Sequence, residues 1–186
     1  IDPLTSATHQ PPYPMASRLF ESVKASFKAE GWSYTEVEGQ EVILAGFDAR
    51  HLKIEIHVQV FEEIGSVSVV SESAKATYSP ALRERLAELI LRTNQMLSVG
   101  NFEMFWDEGR VVFRVSNLFP GGKGDPKIIA GMVHATISEM DRLAPMMDIL
   151  FEAEKCAGGE LAALSIHVLM ETTEVSPLQP TQEENE

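Results

Sequence analysis

The stretch Ser79–Phe119 constrains the fold most, because it predicts one helix that leads directly into a β-hairpin. The pair Ser79-Pro80 is typical of a helix start: the serine hydroxyl can accept from a free amide, and proline lacks the amide that the first turn leaves unpaired. Apolar residues then recur at helical spacing, and Gly100 is expected to end the helix. Two alternating runs follow at 102–106 and 111–115, joined by an acidic turn that contains glycine. The stretch therefore predicts a domain that combines helices with antiparallel strands.

The rest of the chain repeats these two kinds of pattern. Residues 17–31 carry an apolar helical stripe, and residues 126–156 carry another, which Pro145 is expected to kink or restart. The clearest strand is 52–60, where apolar and polar residues alternate, so one face should be buried and the other wet. Further strands are predicted at 33–38, 41–47 and 67–70. The predicted fold is α+β: a mainly antiparallel sheet of five to six strands with helices packed on it, in the order helix, three or four strands, helix, two strands, helix.

The length of the chain, 186 residues, suits one well-buried domain. The proline-rich residues 1–14 predict a disordered leader, whose first residues resemble a cloning remnant, with Met15 as a candidate natural start. We assign residues 15–157 to a single domain. After the Gly158-Gly159 pair, residues 158–174 form an extension whose pattern fits a helix or a strand, with helix favoured. Residues 175–186 predict a disordered acidic tail.

The charge of the chain is strongly negative, since 28 acidic residues against 15 Lys and Arg residues give a formal net charge of −13. Such a surface repels phosphate backbones and anionic lipids, so we expect neither nucleic acid nor a membrane as a partner. Cys156 is the single cysteine, which excludes an intramolecular disulfide and fits a reducing compartment. No apolar run reaches the roughly 18 residues of a spanning helix and no signal peptide is visible, so a cytoplasmic location is predicted.

No catalytic motif stands out in the sequence. His51, Glu55 and His57 share the polar side of a predicted strand at two-residue spacing, which suits zinc. Lys53 lies between them and opposes a cation, so a solvated strand face is favoured. Residues 121–124 (Gly-Gly-Lys-Gly) lack the hydroxyl residue that follows the lysine of a phosphate loop. We assign no catalytic, metal-binding or cofactor-binding residue, and we predict that the chain is not an enzyme.

Two groups of residues are candidates for contact with another protein. If Phe, Met and Trp at 102, 104 and 106 face the core, Phe105 points outward on the opposite face of the sheet, together with Val112. An aromatic side chain there suits an interface with a partner or a second subunit. Met146 and Met147 lie beside the predicted kink, where flexible thioethers can line an adaptable groove, although core filling is the commoner role of a single methionine. The candidate protein-binding residues are Phe105, Val112, Met146 and Met147.

Three segments of the chain resemble a known family. Residues 86–94 (Leu-Ala-Glu-Leu-Ile-Leu-Arg-Thr-Asn) are a leucine-rich helix end that closes with asparagine. Residues 101–114 are a hairpin with an aromatic and acidic first strand, and residues 140–147 (Met-Asp-Arg-Leu-Ala-Pro-Met-Met) are a late helix with an aspartate and a proline. In these segments the chain resembles the YbjN-like proteins, whose fold is similar to that of the type III secretion chaperones. The resemblance, over roughly residues 16–152, implies a sheet with helices on one side, often a homodimer, and work done by binding proteins.

The function expected from the sequence is a non-enzymatic, chaperone-like or assembly-adaptor role, in which a homodimer binds a segment of a partner protein. The expected contact is an apolar patch or groove with an acidic rim, which accepts a helix or an added strand. A small-molecule-responsive regulatory domain is the alternative, because a sheet covered by helices can hold a ligand pocket. A metal-dependent enzyme ranks third.

Overall fold

The computed structural model describes residues 16–156 and 160–172 of the chain. The predicted leader, Met15, the Gly158-Gly159 pair and the predicted acidic tail lie outside the described residues. Within them the fold is α+β with a six-stranded antiparallel sheet, which confirms the predicted fold class. The elements are α1 (Arg18–Glu30), β1 (Thr35–Glu36), β2 (Val42–Asp48), β3 (Lys53–Phe61), β4 (Ser66–Ala76), α2 (Pro80–Asn94), β5 (Asn101–Phe105), β6 (Arg110–Leu118), α3 (Pro126–Lys155), α4 (Glu160–Ala163) and α5 (Ile166–Thr172).

The six strands lie in the order β1-β2-β3-β4-β6-β5, and every neighbouring pair is antiparallel. The first four strands follow one another as a meander. α2 then carries the chain to the far edge of the sheet, where β5 is the outer strand, and the hairpin returns β6 to the side of β4. β4 therefore joins two halves of the sheet that α2 separates in the sequence.

One face of the sheet forms a hydrophobic core with the helices. The apolar residues of β3, at 54, 56, 58 and 60, are between 0% and 7% exposed, which confirms the buried face predicted from their alternation. α1, α2 and α3 cover this face and add their own apolar stripes to the same core. The opposite face, called the open face from here on, contributes no side chain to this core and carries no helix in the described part of the chain.

α3 continues through Pro145 as one helix, so the restart that the sequence allowed there does not occur. Proline has no N–H to donate to the carbonyl four residues earlier, which belongs to Asp141. His51, in the turn between β2 and β3, lies against Asp141: its Nδ1 is 3.2 Å from that carbonyl oxygen and 3.1 Å from the carboxylate. Its backbone N–H donates to the other carboxylate oxygen at 2.7 Å. His51 therefore replaces the donor that Pro145 removes from the helix.

α2 ends at Asn94 rather than at the predicted Gly100. The Asn94 side chain bonds the outward-facing backbone of Phe102 in β5: its amide nitrogen donates to the carbonyl at 2.9 Å, and its oxygen accepts from the N–H at 2.7 Å. These two bonds fix the end of the helix against the edge of the sheet. They also occupy backbone groups that an edge strand would otherwise offer to another chain.

The extension beyond the predicted domain is helical rather than extended, and it forms the two short helices α4 and α5. Leu161, Ile166 and Leu169 are only 8%, 1% and 5% exposed and belong to the main core. Both helices contact α2, and α4 also contacts α3, so this segment folds back onto the domain. Among the described helices, including the 30-residue α3, none is both long enough and apolar enough to span a bilayer.

Candidate protein-binding site

The open face presents its side chains in rows that run across the strands. The register of β2, β3, β4 and β6 defines one row as Leu44, His57, Val70 and Arg114. Two residues further along the strands, Gly46 pairs with Glu55, and Glu72 pairs with Val112, whose partner on β5 is Glu103. Charged and apolar groups are therefore interleaved on this face, as on a solvent-exposed surface rather than in a core.

An exposed cluster of aromatic and arginine side chains lies where the hairpin turns. We call it the hairpin-end cluster, and its members are Tyr78, Arg83, Phe105, Trp106 and Arg110. The three aromatic residues are 81%, 39% and 52% exposed, in that order. Phe105 is the register partner of Arg110, and the Arg83 guanidinium lies 5.5 Å from the centre of the Trp106 ring. The Arg83 Nη1 also donates to the Trp106 carbonyl at 2.9 Å, so the helix α2 holds this end of the hairpin in place.

A close backbone contact fixes the position of the hairpin-end cluster. Gly109 has a φ of 60°, and a Cβ built on it would lie 1.8 Å from the carbonyl oxygen of Thr77. Only glycine fits there, because both the left-handed backbone and the contact exclude a side chain. The Thr77 N–H donates to the Gly109 carbonyl at 3.2 Å, which ties the segment before α2 to the turn. A register shift in β4 between Glu72 and Ala76 brings these two segments together.

Carboxylates surround the cationic part of this cluster. Arg110 Nη1 donates to Glu72 at 2.8 Å, and Arg110 Nη2 lies 3.5 Å from a carboxylate oxygen of Glu108. The hydrogen bond to Glu72, followed by the charges of Glu72 and Glu108, raises the pKa of the Arg110 guanidinium above its ordinary value. Asp107 is also exposed in the turn. The aromatic side chains therefore lie beside an acidic rim.

A groove on the open face begins at Glu72 and extends toward β2. It has a volume of about 470 Å³, and the open-face side chains that line it are Leu44, Glu55, His57, Val70 and Glu72, with Gly46 leaving a gap in β2. We call it the open-face groove. Glu72 both lines the groove and bonds Arg110 of the hairpin-end cluster. The groove therefore adjoins the part of the hairpin-end cluster that lies on the open face, at Phe105 and Arg110.

The structure separates the four candidate protein-binding residues. Phe105 lies on the open face and is 39% exposed, whereas Val112, Met146 and Met147 are 0%, 0% and 4% exposed. The expectation that Val112 is a surface contact is wrong, although it does lie on the same sheet face as Phe105. Its neighbours on three strands form the ion pairs Arg110–Glu72 at 2.8 Å and Arg114–Glu103 at 3.0 Å. The aliphatic parts of these long side chains shield the valine from water.

Met146 and Met147 point from α3 into the interior rather than onto a surface, so core filling explains them. The proline beside them lies inside the continuous helix α3. Met146 also forms part of the wall of a second pocket, which lies between α2, α3 and α5 and has a volume of about 250 Å³. We call this the C-terminal pocket, and its other side chains are Arg92, Gln95, Met96, Arg142, His167, Met170 and Glu171.

The three residues considered for zinc do not come together. His51 lies in the turn before β3 and bonds Asp141 of α3, while Glu55 and His57 stand on the open face. Lys53 pairs with Asp48 at 3.5 Å on the neighbouring strand. Across the described ranges, no three histidine, cysteine or acidic side chains are grouped so that they could hold a metal ion.

Trp106, Tyr78 and Arg83 are the parts of the site that the sequence did not predict. The alternation of 102–106 placed Trp106 in the core with Phe102 and Met104, but β5 ends at Phe105, and Trp106 belongs to the turn. The acidic pair that follows Trp106 was the available signal, because aspartate favours turns, and a turn ends the alternation of the strand before it. Tyr78 and Arg83 lie far from Trp106 in the sequence, so only the fold brings them to it.

Comparison of the chain with protein-family models, with curated proteins and with solved structures finds no match. Function is therefore inferred from the chemistry of the open face and of the C-terminal pocket.

Proposed function

We propose that this protein is a non-enzymatic, chaperone-like or assembly-adaptor protein that binds a segment of a partner protein on its open face, and that it works as a homodimer. The observation that carries the proposal is the joining of the exposed hairpin-end cluster to the open-face groove through Glu72. Tyr, Trp and Arg are the residue types that dominate the binding energy of protein interfaces. The resemblance of the sequence to the YbjN-like proteins favours the same role.

The dimensions of this surface suit a short segment that lies across the strands. From β2 to β5 there are four interstrand spacings, or about 19 Å at roughly 4.8 Å each. About six residues of an extended chain span that distance, and so do about 13 residues of an α-helix. The aromatic side chains at one end and the groove at the other would then bind opposite ends of the same segment.

A displayed library of 12-residue peptides, selected on the purified protein and followed by fluorescence anisotropy, tests this function. Phe105→Glu should weaken the binding of selected peptides at least ~30-fold, because loss of a central aromatic anchor costs about 2 kcal/mol or more. Leu91→Glu is the matched control, since Leu91 is 64% exposed on α2, away from the open face. Far-UV circular dichroism should show both variants folded. Failure to select any peptide, or equal binding by the two variants, refutes the proposal.

We propose that the homodimer interface lies at the far end of the open face. Phe61, Ile64 and Leu118 are 40%, 66% and 63% exposed there, and the register places Phe61 and Leu118 on either side of Ser66. Exposed apolar groups that adjoin one another mark interfaces, and a two-fold axis would bring the same patch of both copies together. Leu118→Glu should therefore convert dimer to monomer in light scattering while peptide binding persists. A wild-type monomer, or a variant that stays dimeric, contradicts this assignment.

The C-terminal pocket supports a second candidate function, a small-molecule-responsive regulatory domain. Its wall combines Met96, Met146 and Met170 with charged side chains of both signs, Arg92, Arg142 and Glu171, so it offers a small amphipathic ligand apolar contact together with polar groups. A thermal-shift screen of metabolites should show class-specific stabilisation if this function is correct, because a ligand that binds only the folded state raises the melting temperature. Arg142→Met should abolish that shift. Uniform melting temperatures across the screen exclude this candidate.

A further inference from the structure

We infer that the open-face groove binds an arginine side chain of the partner segment, next to an apolar residue of that segment. This inference rests on the proposed function, because it identifies what one part of the open face accepts. The opening for the side chain is at Gly46 in β2, and the charge that attracts it is on Glu55 of β3, the register partner of Gly46.

The space for the side chain comes from Gly46. A Cβ added at this position meets no heavy atom within 4 Å, and the backbone there is ordinary strand. The backbone conformation at position 46 therefore allows residues other than glycine, in contrast to position 109. Leu44, which is 45% exposed, lies beside the gap on β2, and Val70 lies further along the groove on β4. They offer apolar contact to the methylene groups of a long side chain, whose charged end can then reach the far wall.

The charge for the side chain comes from a carboxylate without a cationic partner. Lys53 is on the same strand face as Glu55, but it pairs with Asp48, and no ion pair involves Glu55 among the described residues. The paired register of β3 and β4 ends at His57 and Val70, and beyond it Glu55 and Glu72 both line the groove. Like charges that line one groove repel each other, and Arg110 pairs with Glu72 but not with Glu55. A partner's cation between the two would relieve that repulsion.

Arginine fits this groove better than lysine does. A guanidinium is planar, is weakly hydrated and carries several donors in one plane, so it can bond Glu55 and lie against the neighbouring His57 ring together. The formal net charge of −13 adds a long-range attraction for a basic segment. The acidic rim predicted from the sequence thus acquires a defined position, at Glu55 and Glu72.

Nuclear magnetic resonance titration of the full chain with small probes tests the inference. The probes are N-acetyl-leucyl-arginine amide, its lysine analogue, and its citrulline analogue, which has the shape of arginine without the charge. The arginine probe should shift the backbone amides of residues 44–46, 55–57 and 70–72, with a dissociation constant on the order of 1 mM. The lysine probe should bind more weakly, and the citrulline probe at least ~10-fold more weakly. Equal shifts with arginine and citrulline, or shifts only elsewhere, overturn the inference.

Two substitutions separate the groove from the rest of the surface. Gly46→Val puts a side chain into the gap at a position whose Cβ meets no atom within 4 Å, and Glu55→Gln removes the charge. Each should weaken binding of the arginine probe at least ~10-fold while the melting temperature is kept. Gly131→Ala is the control, because Gly131 on α3 also has open space around its Cβ. Selected 12-residue peptides that need Phe105 but contain no required arginine would refute the anchor and leave the proposed function standing. Selected peptides that need neither Phe105 nor an arginine would refute both the arginine anchor and the proposed function.

Discussion

The contact between His51 and Asp141 should be one of the strongest single links between the sheet and α3. It joins the turn before β3 to the middle of a helix 90 residues away through three short contacts. The backbone N–H of His51 donates to Oδ1 of Asp141 at 2.7 Å. Nδ1 of His51 lies 3.1 Å from Oδ2 of Asp141 and 3.2 Å from the Asp141 carbonyl oxygen. Since both atoms facing Nδ1 are oxygen acceptors, the proton must be on that nitrogen. Pro145 is the reason that the carbonyl is available.

The magnitudes follow from which of these contacts each substitution removes. Asp141→Ala removes both contacts to the carboxylate, whose side chain is 17% exposed, and should cost about 2 kcal/mol of unfolding free energy. His51→Ala keeps the backbone N–H and loses only the ring, which is 37% exposed, so about 1 kcal/mol is expected. Because the ring acts largely through Asp141, the double variant should cost about 2 rather than 3 kcal/mol. For a chain of this length, 1 kcal/mol corresponds to roughly 2–4 °C in melting temperature.

Urea unfolding of the wild type, the two single variants and the double variant measures this coupling. His57→Ala is the matched histidine control, because His57 is exposed on the open face, and it should change stability by less than about 0.5 kcal/mol. Additive costs for His51→Ala and Asp141→Ala would refute the reasoning. Pro145→Ala offers an internal check: the restored amide can bond the Asp141 carbonyl, so His51→Ala should cost less in that background than in the wild type.

Two further substitutions test the edge and the turn of the hairpin. Asn94→Ala should lower the free energy of unfolding in urea by about 1–3 kcal/mol and promote concentration-dependent association, because it leaves the Phe102 backbone unpaired at a sheet edge. Asn94→Asp keeps the acceptor and should cost less. Equal costs for the two variants would contradict this reasoning. Gly109→Ala should cost well above the roughly 1–2 kcal/mol of a left-handed alanine, since its Cβ would lie 1.8 Å from the Thr77 oxygen. Gly39 has a φ of 73° but open space around its Cβ, so Gly39→Ala should cost only the roughly 1–2 kcal/mol of a left-handed alanine. Similar melting temperatures for Gly39→Ala and Gly109→Ala would show that the contact with Thr77 adds nothing.

The parts of the fold that the sequence predicted are those set by local patterns. The alternation in β3 and the Ser79-Pro80 helix start each depend on neighbours within one or two turns, and both are found where they were expected. The core and the α+β class follow from these periodicities because each apolar face must be buried against another. Phe105 belongs with them, since alternation within β5 was enough to place it on the open face.

The parts that the sequence could not supply depend on contacts between distant segments. Val112 is buried because charged residues from β4 and β5 surround it, and no local pattern reveals which strands flank β6. α3 continues past Pro145 because a histidine from a distant turn replaces the missing donor. Trp106 is exposed because β5 is one residue shorter than the alternation suggested. Each difference arises from tertiary context overriding a correct local preference.

The site on the open face is a consequence of strand order as much as of composition. A simple meander would place β5 beside β4, and Arg110 on β6 would then be one strand further from Glu72. Instead, α2 sends β5 to the edge, so β6 returns beside β4 and Arg110 bonds Glu72 directly. That bond leaves Glu55 as the carboxylate of the groove that still lacks a cation among the described residues. The same crossover therefore positions the aromatic end of the surface and, under the proposed function, leaves the carboxylate of Glu55 for a partner's cation at the other end.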